Sequence, residues 1–358
     1  MSLSELFSAG RIDRELIGAT LVIADAQTAA NAEPFLALLE TAYGRLALGV
    51  VGEDAYQGPR AYLELPTRYG ADIKRVRKLK PARVIVIGAA AQCHELVRDI
   101  PADKVWLNAR DDAVAQAGCK LITVADEAAH RLLPDAALTG DPLCLLDALP
   151  EYAPDTSLCE RFQEYRERNY PVFYAAATGE GEERVAYAVL FELLRQQTCI
   201  MIVAPKDPER YEPVYRDAIK YSMPTIRHTR LYTSFVPRKN RVYFVEDPTP
   251  LDSLYACADF VIPGGTLADE ATHAPDLVTP ILAGSPVIVG RRRDDALLAA
   301  AVAAGVVLTG EDVDAIAEQA ARLGVDAALR ETQAKQARQW LDSQAGAGQR
   351  VVDLLKAL

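Results

Sequence analysis

Lys206 and Arg210 fall in the stretch APKDPERYEP, Ala204 to Pro213. The apolar run CIMIVAP before it reads as a strand. That puts Lys206 at a strand's carboxyl end and Arg210 about one turn into the next helix. Two cations so placed can hold a phosphate or a carboxylate. The same pattern also describes an Arg–Glu pair on a helix start, which does little. In DFVIPGGTL, Gly264 and Gly265 follow a buried strand and Thr266 comes next. Paired glycines there let a backbone approach a ligand closely, or simply make a tight turn. A helix starting near Asp276 would point its amides at the same space.

The run VFYAAATGEGEERVAYAVLFELLRQ, Val172 to Gln196, has the outline of strand, turn and helix. Thr178 is placed to cap the helix, and Gly179 and Gly181 permit a tight entry. Glu180, Glu182 and Glu183 would repel a phosphate but complement the positive helix end, so they serve the helix. A functional reading needs Thr178 and the backbone amides. Elsewhere the signals are thin. No two of His94, His130, His228 and His273 have metal-ligand spacing. The run RRRDD, Arg291 to Asp295, follows a strand end and is either an anion contact or a solvated surface. The six cysteines form no Cys-x-x-Cys pair and sit in apolar surroundings, which predicts buried reduced thiols rather than zinc ligands or disulfides.

Positioning such groups requires a regular frame, and the chain supplies one. Short apolar strands alternate with helical patterns: ATLVIADA, LALGVVGE, ARVIVIGAA, KVWLNAR and CKLITVAD in the first half, PVFYAAAT, CIMIVAP, TIRHTRLY, RVYFVED, DFVIPGG, SPVIVG and VVLTG in the second. That alternation predicts parallel sheets covered on both faces. A proline-rich segment without strands near residues 142–168 reads as a linker. The expectation is a Rossmann-like domain over 1–150, a linker over 151–168 and a second such domain over 169–358, with the last helix returning to the first. Ligands of doubly wound sheets lie outside the strands' carboxyl ends.

The 358 residues carry a net charge of -11 with half of them hydrophobic. Such a field disfavours nucleic acid or an anionic membrane as a bulk partner, while leaving room for a local basic cleft. No apolar run is long enough to span a bilayer, and MSLSELFSAGRIDREL has charges inside its apolar pattern. These features predict a protein without a transmembrane segment, located in the cytoplasm or peripherally at the inner membrane.

Taken in order, these pieces resemble the Kdo transferases, which move 3-deoxy-D-manno-octulosonic acid from CMP-Kdo onto lipid A precursors. KVWLNAR is similar to the family's V-L-V-N-A-R, and ALTGDP to its T-G-N turn. YPVFYAAATGEGEE is similar to A-A-S-T-H-E-G-E-E, VAPKDPERY to V-P-R-H-P-E-R-F, YACADFVIPGGTL to Y-A-A-A-D-V-A-F-V-G-G-S-L, and TPILAGSPVIVG to E-P-A-A-L-G-K-P-V-L-x-G. The resemblance covers nearly the whole chain. It implies the GT-B fold: α/β, with two Rossmann-like doubly wound parallel-sheet domains facing across a cleft, acceptor-side first and donor-side second.

The departures are equally specific. Asn31 stands where the family's catalytic glutamate would be, and an asparagine takes no proton at neutral pH. The family's E-T-E-L-W-P becomes IGAAAQCHEL, and G-G-H-N-P-L-E-P becomes HAPDLVTP, with Thr279 in place of the ribose-binding glutamate and the glycines gone. In A-A-S-T-H the serine is Ala177 and the histidine Gly179, and Lys206 replaces an arginine. The resemblance thus implies a metal-independent glycosyltransferase without a cofactor. It would use a nucleotide-activated sugar (CMP-linked by resemblance) and an acceptor of unknown identity, a glycan or a lipid-linked sugar. Thr178, Lys206, Arg210, Gly264, Gly265 and Thr266 would bind the donor, and Glu33 or Asp25 would serve as base. The alternative expectation is a catalytically degenerate paralogue that binds or scaffolds.

Overall fold

The structure, a computed structural model, describes residues 16–65, 69–88, 93–144, 146–247, 251–292 and 295–358. The N-terminal stretch 1–15, the segment 89–92 within IGAAAQCHEL, and Arg293 and Asp294 of the RRRDD run lie outside those residues. The chain divides into two compact units. One comprises residues 1–148 with 343–358, and the other residues 149–342.

The first unit is built on a seven-stranded parallel sheet. In chain order its strands are β1 (Thr20–Asp25), β2 (Leu46–Val51), β3 (Tyr62–Leu65), β4 (Arg83–Ile87), β5 (Asp103–Leu107), β6 (Leu121–Val124) and β7 (Ala137–Leu138). Their spatial order is β3-β2-β1-β4-β5-β6-β7, so the winding reverses between β1 and β4. Strands buried on both faces read as unbroken apolar runs. In β1, Leu21 and Ile23 join one core with Val84, Val86 and Trp106, while Val22 and Ala24 join the opposite core with Val50 and Ile85. Two helices follow β1 directly, α1 (Ala26–Asn31) and α2 (Glu33–Tyr43).

Strand β3 is absent from the sequence reading. It is a four-residue edge strand with an exposed Tyr62 and only Leu65 buried, too short and too polar to announce itself.

In the second unit the main sheet has five parallel strands: β8 (Val172–Thr178), β9 (Ile200–Pro205), β10 (Thr225–Arg227), β11 (Val242–Phe244) and β12 (Phe260–Pro263). Their order is β10-β11-β9-β8-β12, and the winding reverses between β8 and β12. A small pair, β13 (Ile288–Val289) with β14 (Leu308–Thr309), follows. Of the helices here, α3 (Glu182–Gln196) and α4 (Tyr211–Lys220) carry the turns of interest, and α5 (Val313–Val325) packs beside α3. The helix expected from Asp276 is only Val278–Leu282, with the Asp276 carboxylate accepting from the Thr279 amide. Both units are therefore Rossmann-like α/β layers of the kind that the GT-B class combines.

The last helix, α6 (Ala347–Lys356), belongs to the first unit and places Val351, Val352 and Leu355 against Phe35, Leu36 and Leu39 of α2. Polar anchors hold the approach to it. The fully buried Gln344 accepts from the Asp141 amide at 2.7 Å and donates to the Ala125 carbonyl. Arg350 donates to the Thr139 carbonyl through Nε and one Nη.

The expectation of six reduced thiols is corrected at one pair. Cys159 and Cys257, 98 residues apart, are disulfide-bonded. One lies in the 3-10 turn Thr156–Phe162 and the other just past the short helix Leu251–Tyr255, and both sit in the same core layer. Sequence spacing carried no sign of a juxtaposition that only the tertiary packing makes.

Candidate functional site

At the switch point of the second unit, the turns after β8 and β12 meet. The residue that joins them is Glu182, in the first turn of α3, with no exposed surface. One carboxylate oxygen accepts from the Gly179 amide at 2.7 Å and the Gly265 amide at 2.9 Å. The other accepts from Thr266 at 3.0 Å and Leu267 at 2.8 Å. Four backbone donors converging on one carboxylate form a nest already filled by the chain's own anion. The amides expected to meet a donor phosphate after Gly264 and Gly265 are thus engaged by Glu182.

Glu183, also buried, takes side-chain donors instead. It receives the Thr178 hydroxyl at 3.1 Å and an Arg210 guanidinium nitrogen at 2.6 Å. Arg210 sits in the 3-10 turn Pro208–Arg210 that precedes α4 and also reaches the Gly179 carbonyl. Thr178 is the last residue of β8 rather than a cap. Gly181, in the left-handed region at φ 81, occupies the N-cap position. Thr266 is buried too, donating to the Pro263 carbonyl and accepting from the Gly290 amide. Gly264 provides room for backbone rather than ligand, since a Cβ there would run into the Ala177 carbonyl. Ala177 itself takes φ 50, a conformation costly for a residue with a side chain.

The structure therefore gathers Thr178, Arg210, Gly265 and Thr266 into one network around two glutamates, with Gly264 beside it, its amide donating to the Ala176 carbonyl. Lys206 stands apart from that network. Its amide donates to the Thr178 carbonyl at 3.0 Å, and its side chain is exposed at the carboxyl end of β9. His273 lies next to it, its ring filling the space a side chain on residue 179 would take. Burial, then the nearby Lys206 charge, hold the imidazole below the usual histidine range, and its Nε2 is buried with no hydrogen-bond partner among the described residues.

In the first unit the two expected bases sit near the switch point of their own sheet. Asp25, at the end of β1, caps α1, accepting from the Thr28 amide at 2.8 Å and the Thr28 hydroxyl at 2.7 Å. Glu33, at the start of α2, takes the Arg60 Nε at 2.8 Å on each of its oxygens. Arg60 also pairs with Glu40, whose carboxyl it draws below the usual range through its hydrogen bond. Among the described residues, the Asn31 side chain accepts a hydrogen bond from Gln27 at 3.3 Å.

Sequence reasoning missed two features. Glu182 and Glu183 were assigned to the helix alone. Yet they fall four residues before Ala186 and Tyr187, on the same stripe that buries Leu190 and Leu193. Acids on an apolar stripe are the available signal for a buried polar network. His273 carried no such signal, because only the fold brings it to residue 179.

No family model matches the chain. Solved structures similar to it include the C-terminal CMP-Kdo binding domain of WaaA from Acinetobacter baumannii, at 20% identity and TM-score 0.45, covering 51% of this chain and 94% of that one. UDP-GlcNAc 2-epimerase from Neisseria meningitidis, bound to UDP-GlcNAc, is similar at 14% identity and TM-score 0.43, covering 95% and 100%. A Thermobaculum terrenum O-GlcNAc transferase mutant is similar at 15% and 0.40, covering 97% and 68%. Likenesses at these values say nothing of this chain's chemistry.

Proposed function

We propose that this protein is a glycosyltransferase of the GT-B class whose second unit takes a nucleotide-activated sugar, CMP-linked by resemblance, with Lys206 as the cation for the leaving phosphate. The observation that carries the reading is the switch point of the second unit. Glu182 ties the turns after β8 and β12 together, Glu183 ties Thr178 at the end of β8 to Arg210 in the turn after β9, and the exposed Lys206 stands at the end of β9. That is where a doubly wound sheet binds its ligand. The ordered series of motifs shared with the Kdo transferases supports the same reading. Transfer then proceeds without a metal, the phosphate charge being met by Lys206.

A second reading, a binding protein without transferase activity, is favoured by one specific observation: both expected bases are committed elsewhere, Asp25 to a helix cap and Glu33 to Arg60. A thermal-shift series with CMP, CDP, UDP and GDP tests the common premise. A nucleotide at about 100 times its Kd adds roughly 2.7 kcal/mol, a rise of roughly 5–10 °C for a unit of this size. Lys206→Ala should reduce that rise. Consumption of the matching nucleotide sugar then identifies the transferase. Binding without consumption identifies the second reading, and stabilisation by none of the four rejects both.

A further inference from the structure

Between Ala218 and Val245 the chain carries six Lys and Arg residues and no Asp or Glu, in a protein of net charge -11. The middle of that stretch connects β10 to β11 and displays two aromatic rings. Tyr232 is 93% exposed, more than any other large apolar side chain among the described residues, and Phe235 is 42% exposed. The base of the connection is firmly held. Val236 is fully buried, and its amide donates to the Arg161 carbonyl at 2.7 Å. The hydroxyl of buried Tyr165 donates to the Asn240 carbonyl at 2.6 Å, and the Glu164 carboxylate takes the Arg238 amide at 3.0 Å. At the tip, the Thr233 hydroxyl donates to the Phe235 carbonyl at 2.6 Å and closes the turn on itself. Apolar residues exposed singly need no explanation, whereas two aromatics presented together on a pinned turn mark a contact surface.

Charge defines the partner. Arg230, Arg238 and Lys239 flank the turn, all exposed and with no ion pair among the described residues. The other two cations of the connection are engaged, Arg227 with Glu212 and Glu246, and Arg241 with the carbonyls of Arg238 and Asn240. Aromatic rings between long basic side chains suit the boundary of an anionic bilayer. There a tyrosine keeps its hydroxyl among the headgroups, a phenylalanine enters the acyl boundary, and Arg and Lys reach lipid phosphates. A nucleic acid would need a longer track of cations, because three phosphate contacts hold little at physiological salt. The acidic remainder of the protein does not cancel the patch, since exposed charges more than about 8 Å away are largely screened at that ionic strength.

We propose that the β10–β11 connection docks the protein on anionic phospholipid membranes, with Tyr232 and Phe235 entering the interface and Arg230, Arg238 and Lys239 meeting the headgroup phosphates. The proposal is independent of the nucleotide-sugar reading and stands or falls by lipid binding alone.

Co-sedimentation of the full chain with vesicles tests it, using phosphatidylcholine alone and phosphatidylcholine mixed with phosphatidylglycerol. The wild type should bind the mixed vesicles, lose affinity as salt rises, and bind the neutral ones weakly. Arg238→Ala combined with Lys239→Ala should weaken binding roughly thirtyfold, at about fivefold for each cation near an anionic surface. Tyr232→Ala combined with Phe235→Ala should weaken it at least about tenfold, because partial burial of two rings is lost. Lys335→Ala combined with Lys356→Ala removes the same charge from exposed positions elsewhere and should change binding little. Circular dichroism checks that each variant stays folded. In the Tyr232→Trp protein, the new indole should shift to shorter emission wavelength on the mixed vesicles, above a background from two tryptophans that are already buried, Trp106 and Trp340. No binding of the mixed vesicles by the wild type overturns the proposal. So does equal binding by the aromatic double variant, or a Tyr232→Trp protein that binds without the shift. Tighter binding of a single-stranded oligonucleotide than of the mixed vesicles, lost in the same variants, would make the patch a nucleic-acid surface and would also overturn it.

Discussion

Replacing Glu182 by alanine should cost the second unit most of its stability margin. The side chain is fully buried and accepts from four backbone amides at 2.7 to 3.0 Å. Each buried N–H left without an acceptor costs about 1–3 kcal/mol, so four independent losses would reach about 4–12 kcal/mol. The void left by the side chain admits water, which restores part of this, and the realistic expectation is about 3–5 kcal/mol, the range for breaking a buried charged network. Glutamine should fare only slightly better, since its amide group would face two donors with a third. Two tryptophans make the assay selective, Trp106 in the first unit and Trp340 in the second. In a Trp106→Phe background, urea unfolding followed by Trp340 fluorescence reports the second unit. Hydrogen exchange over the peptide containing Gly265, Thr266 and Leu267 reports the amides themselves. A loss below about 1 kcal/mol, with those amides still protected, would refute the claim that Glu182 fills the nest.

Further outcomes follow from the same geometry. Arg210→Ala removes the partner of a carboxylate only 5% exposed and should cost about 3 kcal/mol, with Glu183→Gln in the same background recovering part of it. Asp141 is buried, which raises its carboxyl above the usual range. Its contribution is therefore complete below the unfolded value of about 3.9 and is lost as pH rises through the higher folded value. The wild type should lose stability relative to Asp141→Asn as pH rises above the unfolded value of about 3.9, read from Trp106, and an unchanged difference would contradict the assignment. Reduction of Cys159–Cys257, which closes a loop of 98 residues, should lower the second unit's stability by about 2–5 kcal/mol, and a non-reduced digest should contain the linked peptides.

Much of the frame was legible because buried parallel strands leave unbroken apolar runs, as in PVFYAAAT and CIMIVAP. Strand β3 was hidden because an edge strand with one buried residue has no pattern to show. The corner of the second unit was found from its glycines and cations, but their roles were not. Gly264 admits the Ala177 carbonyl, and Arg210 answers Glu183, choices that depend on contacts between turns more than 25 residues apart in sequence, such as the pair 183 and 210. The same long-range contacts explain why Cys159 and Cys257, and Gly179 and His273, carried no local sign of their pairing.

The central claim is that the strand ends of the second unit hold a nucleotide. Hydrogen exchange with and without the stabilising nucleotide tests it most directly. The account predicts added protection confined to the turns at 177–182, 206–211 and 264–273, and its attenuation in Lys206→Ala. Protection confined to the first unit, or none at saturating nucleotide, would contradict it.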